Sequence, residues 1–127
     1  MTENTVKKKI LLVDDHDFSL DFALTILEEK YEVSTATSGQ DALYLLLHEG
    51  KPDLILLDII MPEMDGWETF HKIKGISLLT SIPIAFLTSS NDTETINRSQ
   101  KIGAIDFIAK PYNREELLSR VENILAR

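Results

Sequence analysis

The chain has 127 residues, the length of one domain with room for a sizeable apolar core. Its formal net charge of −8 argues against nucleic-acid or anionic-membrane binding, because phosphate groups would be repelled. Having no cysteine excludes disulfides and thiolate metal sites, and no apolar run is long enough to cross a bilayer. We therefore expect a cytoplasmic domain that contacts neither nucleic acid nor membrane.

The N-terminal part of the chain predicts two strands and two helices. Residues 10–13 form a buried apolar run that ends abruptly in the acidic residues 14–17. Residues 31–36 alternate as an edge strand would, and the helix after them is expected to end at Gly50. The helix between the two strands has apolar residues at helical spacing: Leu20, Ala23, Leu24 and Leu27, with Phe18, Phe22 and Ile26 widening the stripe.

Residues 54–57 are four consecutive apolar residues, which predict a central strand buried on both faces. Asp58 follows at the end of this strand, where a charge is expensive to bury. Residues 61–66 then break the strand and open a loop, before a third helix that stops near Gly75. Ligand crevices form at the carboxyl ends of such strands, although an Asp that merely stops the strand remains an alternative here.

The C-terminal part predicts two more strand–helix pairs. Residues 82–87 form a fourth buried strand that ends at Thr88, and a polar helix follows and ends at Gly103. Residues 105–109 form the fifth strand, which ends in Lys110. The last helix has an apolar face made of Leu117, Leu118, Val121, Ile124 and Leu125.

Polar residues predict where several helices begin. Ser38, followed three residues later by Asp41, has the spacing of a helix cap. Residues 91–94 repeat a cap-like spacing before the fourth helix, and Asn113 with Glu116 does so before the fifth. A side-chain oxygen at these positions accepts a hydrogen bond from a backbone N–H of the first turn.

Five strand–helix pairs predict an α/β fold, a (βα)5 flavodoxin-like three-layer sandwich with helices on both faces of a parallel sheet. By analogy with known doubly wound folds we expect the strand order 2-1-3-4-5, with the switch point between strands 1 and 3. The domain is expected to span residues 9–127, after an N-terminal tail of residues 1–8.

Four strands end in residues that can carry chemistry: Asp14 with Asp15, Asp58, Thr88 and Lys110. Strands 1 and 3 are neighbours in this order, so three carboxylates converge, and two such charges repel by about 4 kcal/mol at ~4 Å. A cation relieves that repulsion, and hard oxygen ligands favour Mg²⁺. Thr88 adds a hydroxyl and Lys110 a mobile cation for a phosphate oxygen, so a carboxylate here is equipped to form an acyl phosphate.

These residues resemble the motifs of response-regulator receiver domains of two-component, or phosphorelay, signalling over roughly residues 8–126. The match lies in Val13-Asp14-Asp15, Leu57-Asp58 with Met61-Pro62-x-Met64-Asp65-Gly66, Leu87-Thr88-Ser89, and Gly103-Ala104 leading to Lys110-Pro111. In this order the motifs are highly specific. His16 and Ile60 depart from commoner choices in the family, and both positions bear on the dephosphorylation rate but not on the core chemistry.

The resemblance implies a role for each site residue. Asp58 would be phosphorylated by a sensor histidine kinase or a phosphotransfer protein. Asp14, Asp15, Asp58 and the backbone carbonyl of Ile60 would hold Mg²⁺. The remaining implied residues are Thr88 and Lys110 for the phosphoryl group, Thr88 and Phe107 for switching, and Pro62, Gly66 and Pro111 for loop support, with a cis bond before Pro111.

The resemblance also implies the partners. The face made by the fourth helix, fifth strand and fifth helix would regulate an output domain or a downstream protein, with homodimerisation on phosphorylation left open. The domain would catalyse only its own phosphoryl transfer and dephosphorylation. The lysine-rich residues 1–9 favour a natural N-terminus, so a C-terminal effector is the expected missing part.

Four rivals are weaker. A flavodoxin-type FMN module would need a phosphate loop after strand 1, where residues 14–17 are acidic. A dehalogenase-type phosphatase places a second Asp where Ile60 lies, and a cobalamin-binding domain needs a glycine after the pattern Asp14-x-His16-x-x-Ser19 that is missing. A degenerate receiver that serves only as an interaction module is disfavoured by the intact residue set.

Overall fold

Five parallel strands form one sheet in the order β2-β1-β3-β4-β5, which is the order expected by analogy with known doubly wound folds. In this computed structural model, which describes residues 6–127, the predicted tail of residues 1–8 falls largely outside the described residues. Val13 pairs with Leu57 in the register of β1 and β3, so Asp14 and Asp58 leave the sheet at the same level. The strands are β1 (Lys9–Val13), β2 (Glu32–Ala36), β3 (Leu54–Leu57), β4 (Ile84–Thr88) and β5 (Asp106–Ala109).

In the part of the chain that the structure describes, five helices cover the two faces of the sheet. They are α1 (Asp17–Leu27), α2 (Gly39–His48), α3 (Gly66–Lys74), α4 (Thr93–Ile102) and α5 (Arg114–Leu125), and a short 3-10 helix at Ser77–Leu79 was not predicted. Buried residues of α1 and α5 share one apolar cluster, and those of α2 and α3 share another. The three-layer α/β sandwich is therefore confirmed. Among the described residues, no helix has the length and apolarity to span a membrane.

The central strand β3 contributes side chains to both apolar clusters. Leu54 and Leu56 belong to the α1/α5 cluster, whereas Ile55 and Leu57 belong to the α2/α3 cluster. All four side chains are fully buried. Each such burial stabilises the fold by about 1.5–3 kcal/mol, which makes β3 a rigid base for the residue that follows it, Asp58.

Side-chain caps begin four of the helices in the described part of the chain, and in α3 the Asp65 side chain accepts from the Glu68 N–H at 2.9 Å. The Ser38 hydroxyl and the Asn113 side chain accept hydrogen bonds from the backbone N–H groups of Asp41 and Glu116, at 3.0 and 2.8 Å. The cap of α4 is Asp92, which accepts from Thr95 N–H at 2.8 Å, so the helix begins one residue later than the predicted spacing from Asn91. Asn and Asp are about equally good caps, so composition alone could not choose between neighbours.

The predicted apolar stripe of α1 was too wide. Phe18 is 85% exposed and Phe22 is 44% exposed, whereas Ile26 is buried as predicted, together with Leu20, Ala23 and Leu27. Phe18 and Phe22 are four residues apart and lie on a second face of the helix, which no other element of the described chain covers completely. The Phe22 ring packs near Tyr112, with the two ring centroids 5.6 Å apart.

Candidate functional site

An acidic crevice lies at the carboxyl ends of β1 and β3. Ligand atoms from four residues, Asp14, Asp15, His16 and Asp58, all lie within 4.8 Å of one another. The sheet sets this arrangement, because the backbone N–H of Asp58 donates to the Val13 carbonyl at 3.0 Å. Asp14 and Asp58 are 2% and 4% exposed, so two carboxylates are held in a poorly solvated position. The predicted convergence of the three carboxylates is confirmed.

The Asp58 carboxylate is held differently at its two oxygens. Oδ1 accepts hydrogen bonds from the backbone N–H groups of Ile59 and Ile60, at 2.7 and 3.4 Å. Oδ2 lies 3.4 Å from the Lys110 ammonium. The backbone therefore fixes the direction of the carboxyl group, and Oδ2 faces the cationic side of the crevice.

Gly66 sets the path of the loop that follows Asp58. A Cβ atom at this position would lie 2.3 Å from the Asp58 carbonyl oxygen and 2.6 Å from the Ile59 Cα. The Gly66 N–H donates to the Ile59 carbonyl at 2.7 Å, which closes the loop. Any side chain here would displace the backbone that carries Asp58, so the residue type follows from a close approach.

Lys110 reaches both buried carboxylates. Its Nζ donates to Asp14 Oδ2 at 2.7 Å and to Asp58 Oδ2 at 3.4 Å. Its backbone N–H donates to the Thr88 carbonyl at 2.9 Å, which ties the end of β5 to the end of β4. The Lys110–Pro111 peptide bond is cis, as the resemblance implied.

The two buried carboxyl groups differ in acidity. Burial raises the pKa of Asp58, and the negative charge of Asp14 adds to this, against the opposing effects of Thr88, Lys110 and the Ile59 N–H. Burial also acts to raise the pKa of Asp14, but hydrogen bonds with Lys110, the His16 N–H and Ser19 outweigh it and lower the pKa. Asp58 is therefore the more basic carboxylate of the pair.

Asp15 leaves one oxygen unpaired. Its Oδ1 is buried, and it has no hydrogen-bond partner among the residues that the structure describes. A buried carboxylate oxygen without a partner is costly, and a bound cation removes that cost. With Asp14 and Asp58 beside it and one lysine to neutralise them, the donor set fits a divalent cation of the Mg²⁺ type.

Thr88 and Phe107 lie on the neighbouring strands. Thr88 is fully buried at the end of β4, where its hydroxyl accepts from the Ser90 N–H at 3.3 Å and lowers the pKa of Asp58. Phe107 is half-buried, pairs with Phe86 in the register of β4 and β5, and packs against the α2/α3 cluster. Thr88 is thus part of the crevice around Asp58, whereas Phe107 packs at the margin of the α2/α3 cluster.

Sequence reasoning missed Tyr112 and Ser19. Tyr112 is buried, and burial together with the nearby Asp14 charge raises its pKa to about 12. Ser19 lies in the first turn of α1, and its side chain helps to lower the pKa of Asp14. An aromatic residue two positions after the Lys110 strand end was the available signal for Tyr112. Ser19 was noted only as part of a cobalamin-type pattern, because a serine in a first helical turn is otherwise ordinary.

Comparison with known proteins identifies the class that this fold and crevice define. Residues 10–122 match the family model described as the response regulator receiver domain. The chain is 38% identical over 119 residues to the response regulator SaeR of Staphylococcus epidermidis, covering 93% of this chain and 50% of that protein. It therefore spans about half the length of the curated relatives that it matches.

Solved structures agree with this assignment. Chemotaxis protein CheY4 of Vibrio cholerae superposes with a TM-score of 0.87 at 30% identity, covering 94% of this chain and 99% of that one. The DrrB receiver domain, in a structure described as BeF3-activated, has a TM-score of 0.84 at 30% identity, with coverages of 96% and 100%. The chain belongs to the response regulator receiver domains of two-component signalling.

Proposed function

We propose that this receiver domain accepts a phosphoryl group on Asp58 from a phosphohistidine of a sensor histidine kinase or a phosphotransfer protein. The observation that carries the proposal is the setting of Asp58: a buried, basic carboxylate beside Asp14, Asp15 and the Lys110 ammonium. No structural role for that cluster is evident without a charged ligand, because it gathers like charges in a poorly solvated place.

The reaction balances without a further co-reactant. A carboxylate oxygen of Asp58 forms a bond to phosphorus, the bond from phosphorus to the donor's imidazole nitrogen breaks, and the electron pair leaves with that nitrogen. Lys110, whose ammonium lies 3.4 Å from Asp58, would bind the phosphoryl oxygens, and the buried Thr88 hydroxyl would donate to one of them. Asp14, Asp15, Asp58 and the Ile60 carbonyl would hold Mg²⁺, whose bound charge neutralises the transferring group.

Output would follow from the new charge. A phosphoryl group adds about −1.5 to −2 charges beside Thr88, drawing its hydroxyl toward the crevice and leaving space for Phe107. α4 is the element that can move most readily, because Ser99 is its buried residue and the others are exposed or half-buried. The changed α4-β5-α5 face would signal to an output domain or a downstream protein, with partial switching as the expected response.

Two side chains bear on the lifetime of the phosphorylated state. The His16 side chain lies beside Asp15 and is 69% exposed. Ile60 lies two residues after Asp58 and is 54% exposed. Ile60 offers no polar group to orient an attacking water. We propose that the domain catalyses only its own phosphoryl transfer and dephosphorylation, with these two positions setting the rate of the second step.

The test uses a small phosphodonor with Mg²⁺ and intact-mass measurement. The wild type should gain one phosphoryl group that is labile to base and to hydroxylamine, and Asp58→Asn should gain none. Asp53→Asn is a matched control, since Asp53 lies at the opposite end of β3, where its Oδ2 accepts from the Lys9 N–H. Equal labelling of Asp58→Asn with the same lability would show that the phosphoacceptor is another residue.

A further inference from the structure

Gly39 is the first residue of α2, at the place where this helix meets α3 and the loop that follows Asp58. It is buried, and a Cβ atom at this position would lie 2.3 Å from Thr69 Oγ1 and 2.7 Å from Met64 Sδ. Real Cβ atoms essentially never come within 3.0 Å of such neighbours. The φ angle of Gly39 is not positive, so the lack of space, and not the backbone conformation, excludes a side chain here.

The two atoms for which Gly39 makes room both anchor the loop of residues 59–65. Thr69 is fully buried on α3, and its hydroxyl donates a hydrogen bond to the Asp65 carbonyl at 2.8 Å. Met64 is buried although it lies in a loop, with its side chain against α2. Two consecutive loop residues, 64 and 65, are therefore held at the point where α2 approaches α3 most closely.

The loop has a backbone conformation that needs such anchors. Glu63 has a φ angle of +66°, in the left-handed region that residues with a side chain rarely adopt. A strained residue of this kind persists only where the surrounding structure fixes it. Met61 and Met64, on the two sides of Glu63, are both buried and supply apolar anchors.

The anchored loop is continuous with the phosphoacceptor. The Gly66 N–H donates to the Ile59 carbonyl at 2.7 Å, and the Ile59 N–H donates to Asp58 Oδ1 at 2.7 Å. A shift of Met64 and Asp65 would therefore reach the Asp58 carboxylate and the Ile60 carbonyl through a short, hydrogen-bonded piece of backbone.

We propose that Gly39 is a positioning residue for phosphoryl transfer. By leaving space for Met64 and Thr69, it holds the loop of residues 59–65 in the conformation that directs Asp58 and the Ile60 carbonyl into the crevice. This inference rests on the proposed function and makes the start of α2 part of the phosphoacceptor site. Gly39 itself touches neither the phosphoryl group nor the metal ion.

The experiment uses Gly39→Ala. Alanine is the better helix former, so an effect on α2 alone would stabilise the protein. Displacement of the loop should instead speed hydrogen exchange of the Gly66 amide and raise the Kd for Mg²⁺ about tenfold. The rate of labelling at a saturating small phosphodonor should fall about tenfold, since small misplacements of reacting groups cost this much or more. Gln40→Ala, at an exposed position of the same helical turn, is the matched control and should change none of the three.

Met64→Ala tests the route by which Gly39 acts. It removes the anchor, so it should by itself speed Gly66 exchange and slow labelling. It also removes the sulfur atom that Gly39→Ala would strike, so adding Gly39→Ala should then slow labelling by a smaller factor than in the wild type. Met64→Ala keeps the proposal testable even if Gly39→Ala does not fold, because unchanged Gly66 exchange and labelling in Met64→Ala would contradict it.

The outcomes separate this inference from the proposed function. A folded Gly39→Ala variant with unchanged Gly66 exchange, Mg²⁺ affinity and labelling rate would overturn the positioning role and leave phosphorylation of Asp58 intact. Equal slowing by Gly39→Ala with and without Met64 would overturn the route through Met64. If the wild type takes up no phosphoryl group on Asp58, the proposed function fails and the positioning role fails with it, whatever the Gly66 amide does.

Discussion

Lys110 Nζ donates a hydrogen bond to Asp14 Oδ2 at 2.7 Å, joining residues that are 96 positions apart in the chain. The contact lies where β5 and β1 end, on opposite sides of β3 and β4 in the sheet. It balances part of the negative charge of the crevice and keeps the ammonium within 3.4 Å of Asp58. Lys110 thus stabilises the folded crevice through Asp14 and also holds a positive charge beside Asp58.

Replacing Lys110 by Ala should destabilise the fold, because two buried carboxylates lose their cation. We expect the free energy of unfolding in urea without Mg²⁺ to fall by about 2 kcal/mol, less than for a fully enclosed pair since the crevice is open to water. Saturating Mg²⁺ should recover part of the loss. Lys30→Ala, which removes an exposed lysine, is the control and should change little.

Mg²⁺ should stabilise the wild type by relieving carboxylate repulsion. At one hundred times the Kd the gain in unfolding free energy is about 2.7 kcal/mol, seen as a rise in melting temperature. Trp67, the only tryptophan of the chain, follows the Asp58 loop and should report binding by fluorescence. Asp15→Asn should lose the response and Asp17→Asn should keep it. A melting temperature that does not change between zero and saturating Mg²⁺ would argue against a metal site in the crevice.

The ion pair between Asp106 and Arg120 should make the free energy of unfolding depend on pH in the acidic range. Burial acts to raise the pKa of Asp106, but hydrogen bonds with Arg120 and the Phe107 N–H outweigh it and lower the pKa below its usual 3.8. Since the folded state holds the proton less tightly than the unfolded state, the stabilisation is present above pH 3.8 and is lost below it.

Urea unfolding over a pH series checks this expectation. The free energy of unfolding of the wild type should exceed that of Asp106→Asn by a constant amount from neutral pH to about pH 4. This difference in free energy should become smaller below pH 3.8. In an Arg120→Gln background, Asp106→Asn should lower the free energy of unfolding by a smaller amount. The coupling energy between the two residues should be about 1 kcal/mol. A coupling energy of zero would mean that the contacts of 2.7 and 3.0 Å do not stabilise the fold.

α4 should be the most responsive element on activation. Its Arg98 guanidinium lies 4.1 Å from the Trp67 ring centroid on α3, a cation–π contact worth about 0.5–1 kcal/mol. Addition of Mg²⁺ and fluoroberyllate should shift the amides of Thr88, Phe107 and α4 in NMR spectra. Arg98→Ala should speed hydrogen exchange in α4, whereas Lys101→Ala, on an exposed position of the same helix, should not. Unchanged α4 shifts with a responding Asp58 loop would rule out the coupling.

The sequence by itself determined the five strands, the five helices and the residues at the strand ends. Those features depend on neighbours a few positions apart: the apolar run of residues 54–57, the caps at Ser38 and Asn113, and the left-handed Gly103 that ends α4. Local backbone preferences and apolar periodicity act over that range, so the sequence carries them directly. The short 3-10 helix at Ser77–Leu79 has no such periodicity and was missed.

Only the tertiary structure decided which residues meet and how their chemistry is altered. The exposure of Phe18 and Phe22, the burial of Tyr112, and the opposite pKa shifts of Asp14 and Asp58 all depend on elements far apart in the chain. Solvent exposure and electrostatic energies are set by distances between side chains, and those distances exist only once the sheet has brought its strand ends together.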